Sequence, residues 1–129
     1  MRYLLIIIFL LLLLLPLAVL GTKPKEPKEI QIPNVRLYAF ESVTTKWNLT
    51  EWYHFIDLIE RESKWDNTAQ NPNSSAYGIG QFLNSTWEIV DCEKTSNPYI
   101  QIDCMIKYVE TRYEYPQKAI QYHYRHNWY

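Results

Sequence analysis

The sequence predicts a mainly α protein: a small bundle of short helices, preceded by an apolar N-terminal helix and a spacer rich in Pro, Lys and Glu. Three observations carry this. Apolar residues return at three- and four-residue intervals in two stretches, 52–59 and 99–113. Helix-start signals precede both, Asn48 before the first and Asn97-Pro98 before the second. No part of residues 47–129 alternates apolar and polar side chains as a half-buried strand must.

Residues 1–21 stand apart from the rest. After Arg2, residues 3–20 are almost continuous Leu, Ile, Phe and Val, interrupted by Pro16. A helix of that length rises about 27 Å, close to the hydrocarbon thickness of a bilayer. Length favours a transmembrane anchor, and Val19-Leu20-Gly21 also offers a small-residue cleavage site for a signal peptide. Either sends the remainder out of the cytoplasm, held at the membrane or secreted.

Residues 22–46 are expected to be an extended linker or arm. Lys23-Pro24-Lys25-Glu26-Pro27-Lys28-Glu29 mixes prolines with charges of both signs and cannot bury a core. Val35, Leu37 and Ala39 alternate with Arg36 and Tyr38, although Pro33 argues against a strand.

Residues 47–129 are expected to fold. Asn48 sits at an N-cap with Glu51 three residues on, and Trp47 and Trp52 occupy the positions of a hydrophobic staple. Trp52, Phe55, Ile56 and Ile59 mark the buried face of the helix that follows. Ser75 is placed to cap a turn at Ala76, and Ser85 with Glu88 reads as a capping box opening residues 86–91. Asn97-Pro98 starts the next helix, whose inner face is Tyr99, Ile102, Ile106, Val109 and Tyr113. Pro116 opens a last short helix with Ala119, Ile120 and Tyr122.

Composition narrows the function classes. Residues 47–129 hold seven basic side chains against eleven acidic ones and show no basic stripe, so nucleic acid is not an expected partner. All five Trp and nine of the eleven Tyr lie there, and most are expected to build the core of so small a domain. Carbohydrate clefts use such rings against the apolar faces of sugars, and Tyr77, Tyr122 and Tyr124 are the better cleft candidates. Cys92 and Cys104, an even count behind an export segment, favour a disulfide, with two free thiols or a metal pair as alternatives. The His123–His126 spacing matches no zinc-enzyme pattern, and neither metal nor other cofactor is expected.

The residue with chemistry is Glu62. At about 100° per residue it continues the row Phe55-Ile59-Glu62, so it lies on the edge of the buried face, whereas Asp57 and Arg61 point away. Partial burial raises a carboxyl pKa, which is what a proton donor to a leaving oxygen needs near neutral pH. The same position also suits an ordinary, half-solvated helix-end glutamate.

The motif around it is more specific. Glu62-Ser63 is followed by Trp65 and Ala69, then by Ser75-Ala76-Tyr77-Gly78-Ile79-Gly80-Gln81 and Thr86, and much later by Ala119-Ile120-Gln121-Tyr122-His123. This series resembles the lytic transglycosylases, the goose-lysozyme-like branch of the lysozyme superfamily. The terminal Asn127-Trp128-Tyr129 is similar to the ends of small secreted lysozyme-like domains. Four positions depart from the pattern: Ser75 stands for glycine, Gly80 for methionine, Trp87 for a small residue and His123 for asparagine.

The resemblance implies a lysozyme-like domain over residues 47–129 that cleaves the β-1,4 bond between N-acetylmuramic acid and N-acetylglucosamine in peptidoglycan strands. It implies Glu62 as general acid and then base, with 1,6-anhydromuramyl products. Gln81 and Tyr122 would hold the sugars, Ser63 or Ser75 would hydrogen-bond near the acid, and Tyr77 and His123 would complete the substrate contacts. A monomer is expected. Two alternatives accompany this reading: a hydrolase of the same fold with Asp66 as a second carboxylate, and a non-catalytic wall-binding module.

Overall fold

The computed structural model describes residues 34–129, and every structural statement below concerns those residues. The expected N-terminal membrane or signal segment, and the Pro/Lys/Glu-rich part of the spacer, lie outside them. Among the described residues no helix is long and apolar enough to cross a membrane. Helices supply all the regular structure: α1 Val35–Lys46, α2 Leu49–Glu62, α3 Asn84–Ile89, α4 Pro98–Tyr113 and α5 Pro116–His126. The mainly α expectation holds.

Over residues 35–46, helix α1 corrects the expected extended arm; residues 22–33 of that arm lie outside the described residues. Asn34 caps the helix by accepting the Arg36 N–H at 2.8 Å. The residues that alternate as Val35, Leu37 and Ala39 also contain the four-residue row Val35-Ala39-Val43. That second period wins because Ala39 and Val43 can then be fully buried in the core. Phe40 meets Trp52 edge to face at 5.4 Å, which fastens α1 to α2.

Helix α2 forms as its sequence signals. The Asn48 side chain accepts the Glu51 N–H at 3.0 Å, and Phe55, Leu58 and Ile59 are fully buried. The reciprocal half of the capping box does not form, because Glu51 Oε2 accepts the Gln117 N–H at 2.7 Å instead. Glu51 thereby caps α5, whose own N-cap residue Tyr115 supplies no side-chain bond.

Helix α3 differs from the expected start at Ser85. It begins at Asn84 with Leu83 at the cap, and the cap bond arrives from another part of the chain. The Ser75 hydroxyl accepts the Asn84 N–H at 3.1 Å. Helix α4 follows its sequence signal, Asn97 accepting from Tyr99 and Ile100 with Pro98 in the first turn. The disulfide Cys92–Cys104 ties the segment after α3 to α4. In a chain-entropy view, closing a loop of this length contributes about 3 kcal/mol.

The core fills the space between α1, α2, α4 and α5, with Phe55, Ile79, Ile102, Met105 and Ile120 at its centre. Gln101 is the buried polar strut. Its side chain accepts the Ile79 N–H at 2.8 Å and donates to the carbonyls of Asn67 and Thr95, so α4 holds the irregular 67–95 region in place. It also explains Gly78, whose φ is +76° and where a Cβ would stand 2.5 Å from the Gln101 amide nitrogen.

Candidate active site

Helix α2 ends at Glu62, and the chain then turns sharply through Lys64 and Trp65, both left-handed with φ of 54° and 70°. Two successive non-glycine residues in that region store strain, which the surrounding structure must hold. Ser63 supplies part of that hold: its hydroxyl donates to the Ile79 carbonyl at 2.8 Å. The Glu62 end of α2 is thereby bolted to the loop that carries Gly78–Gln81.

Glu62 lines an open cleft of about 510 Å³. The opposite walls come from residues 80–89, from Tyr108 and Arg112 on α4, and from Trp128 and Tyr129. Glu62 carries the single carboxylate side chain among the residues that line it, and that side chain is only 15% exposed. Burial pushes its pKa up to about 7. Near neutral pH the carboxyl can therefore give up a proton and take one back.

His123 Nε2 lies 3.0 Å from Glu62 Oε1, with the imidazole side chain 11% exposed. Burial, and then the Arg61 guanidinium, push the His123 pKa down, while Asp57 opposes them more weakly. Burial thus disfavours the charged form of both partners, and near neutral pH the contact is not a full ion pair. His123 does not itself line the cleft.

Tyr129 closes the floor. It is 8% exposed, its hydroxyl donates to the Gly80 carbonyl at 3.2 Å, and burial followed by the nearby Glu62 charge raises its pKa well above the usual tyrosine value. A Cβ on Gly80 would stand 2.9 Å from the Tyr129 hydroxyl and 3.1 Å from the Phe82 ring. The glycine that departs from the expected methionine is where the tyrosine fits.

The remaining sequence-picked residues fall into two groups. Gln81 lines the cleft with φ at 50°, and its amide donates to the carbonyls of Ala69 (3.0 Å) and Gly78 (2.9 Å). Thr86 also lines it. Ser63, Ser75, Tyr77 and Tyr122 lie outside the lining. Ser63 and Ser75 make the scaffold bonds given above. Tyr77 pairs with Gln70 and Phe82 in isolated bridges beneath the Lys94 ammonium. Tyr122 stacks on His126 at 4.0 Å and meets Trp128 edge-on at 4.9 Å, behind the wall. Tyr124 donates to Asp57 under Arg61, away from the cleft.

Sequence reasoning missed Tyr108 and Arg112 as cleft residues. Their four-residue spacing on one helix was the available signal, since it brings the Arg112 Nη1 to 2.6 Å from the Tyr108 hydroxyl. Asp66, the candidate second carboxylate, is exposed and turned into its own loop. It accepts from the Thr68 N–H and hydroxyl, both at 2.8 Å, and these bonds hold its pKa down. Among the described residues no group of three or more His, Cys, Asp or Glu could hold a metal ion.

No protein-family model matches the chain, and no curated protein or solved structure matches it.

Proposed function

We propose that this protein is a peptidoglycan lytic transglycosylase with Glu62 as the acid and then the base. One observation supports the reading: a single, largely buried carboxyl side chain, pushed up to about 7, faces an open cleft lined by no second carboxylate side chain. Most glycosidases that use a water or an enzyme nucleophile place two carboxyl groups about 5 to 9 Å apart across the bond. A lone carboxyl suits a reaction in which the substrate supplies the other group.

In that reaction Glu62 protonates the bridging oxygen as the bond from the muramyl C1 breaks. The substrate's N-acetyl oxygen supports the cation at C1. Glu62, now ionised, takes the proton of the muramyl C6 hydroxyl, and the C6 oxygen bonds to C1. The glycan ends as a 1,6-anhydro sugar, no water is consumed, and Glu62 is reprotonated for the next turnover. Burial of the carboxyl favours both transfers, because its pKa lies near the pH at which it must give and accept.

A non-catalytic binding role is less well supported, because burying a carboxyl beside apolar groups costs stability and gives a binder nothing. The exposed, loop-bound Asp66 gives the hydrolase alternative no second carboxylate in the cleft. Mass spectrometry of glycan fragments released from purified peptidoglycan tests the proposal. Anhydro-ended muropeptides are expected, and reducing-end products alone would replace the lyase by a hydrolase.

A further inference from the structure

Arg112 has a setting that the acid chemistry does not use. It is the only cationic side chain among the residues lining the cleft. Its guanidinium stands 5.7 Å from the ring centre of Tyr108, 5.4 Å from Tyr113, 5.8 Å from Tyr122 and 5.0 Å from Trp128. One N–H goes to the Tyr108 hydroxyl at 2.6 Å, which itself donates to a main-chain oxygen of Tyr129 at 3.2 Å, and among the described residues no carboxylate side chain pairs with the guanidinium.

Four rings fix the position of such a group without neutralising it. A guanidinium has five donors in a planar fork that matches a carboxylate two bonds at a time, and most of these remain for a ligand. Because the rings already restrict the side chain, little further freedom is lost when an anion binds. The domain is otherwise acidic, which makes a fixed cation inside its cleft a selective feature.

We infer that Arg112 is an anion-recognition residue, reading a carboxylate that the glycan carries on the muramyl lactyl group or on the peptide stem attached there. The inference rests on the proposed glycan-cleaving function and deepens it. The cleft then distinguishes muramyl glycans from neutral N-acetylglucosamine polymers by charge as well as by shape.

The test is equilibrium binding to the full-length chain in detergent, carrying Glu62→Gln so that glycan is not consumed. Four ligands are compared: a peptide-free muramyl tetrasaccharide, its lactyl methyl ester, a muropeptide with free stem carboxylates, and the same muropeptide amidated. The acidic member of at least one pair is expected to bind about tenfold more tightly than its neutral partner, the usual scale for a charge-assisted hydrogen bond. The pair that shows the difference identifies the source of the carboxylate. Arg112→Gln should remove that difference, and Arg112→Lys should keep part of it. The inference is overturned if both members of each pair bind equally, or if Arg112→Gln weakens acid and neutral ligand alike, as loss of packing would. Failure of every glycan to bind overturns the proposed function itself, whereas anhydro-product formation without charge preference leaves that function standing and removes this inference.

Discussion

Glu62 and His123 lie sixty-one residues apart in the chain, yet their Oε1 and Nε2 atoms meet at 3.0 Å. One stands at the end of α2 and the other near the end of α5, so the protonation of the acid depends on how two helices pack. A neutral imidazole offers an N–H to a carboxylate, which favours the ionised acid, while burial favours the protonated one. Burial is what raises the carboxyl to about 7.

On the proposed mechanism the resting carboxyl would have to carry its proton, so activity should fall as pH rises through about 7. His123→Phe removes the N–H while keeping most of the volume. It should move that alkaline limb upward by about one unit, since the carboxylate loses a donor. Initial rates of anhydro-product release between pH 5 and pH 9 trace the alkaline limb of each protein, and coincident profiles would remove His123 from any positioning role.

On the proposed mechanism one group would perform both proton transfers, so Glu62→Gln is expected to lower turnover by about 10⁴-fold or more. Asp66→Asn should lose little, in keeping with its exposed, loop-bound carboxylate. A comparable collapse in both variants would point to a two-carboxylate hydrolase.

The same substitution has a stability signature. Glu62 has a folded pKa of about 7 against an ordinary value of 4.5, so between those values the folded chain holds more protons than the unfolded one. Its contribution is fully favourable below 4.5 and is lost as pH rises through about 7, by up to about 3 kcal/mol. Melting curves should show Glu62→Gln gaining on the parent across that window and holding a constant lead above it. A constant difference from pH 4 to pH 8 would mean that the acid is not buried in solution.

Gly80→Met, which restores the side chain that the family resemblance expects, should destabilise this chain by about 1–3 kcal/mol. The added Cβ would stand 2.9 Å from the Tyr129 hydroxyl. Denaturant midpoints would reveal the loss, and pairing the change with Tyr129→Ala should recover part of it if the clash is the cause.

Reduction of Cys92–Cys104 should cost about 3 kcal/mol while leaving the fold recognisable by circular dichroism. Thiol labelling of the non-reduced, folded protein should detect no free cysteine. Two labelled thiols in active protein would contradict the bridge.

What the chain reveals on its face is local. Asn48, Asn97-Pro98 and Pro116 announce their helices because a cap or a proline acts within one turn. Glu62 could be aimed inward from helical period alone. Helix α1 was illegible because Val35, Ala39 and Val43 fit both an alternating and a four-residue period, and only burial against α2 and α4 decides between them. The start of α3 was misplaced for a similar reason, its cap coming from Ser75, nine residues earlier. Arg112, Tyr129 and the His123 contact belong to no local pattern. They become a site only when α2, α4 and α5 converge.

Glu51 joins Gln117 at the first turns of α2 and α5, and Glu62 meets His123 toward their last. The two helices are thus pinned to each other at both extremities, like a parallel linkage with two rivets. A change at Glu51, about 16 Å along the helix from the acid, should therefore register at the proton of Glu62 without touching the cleft.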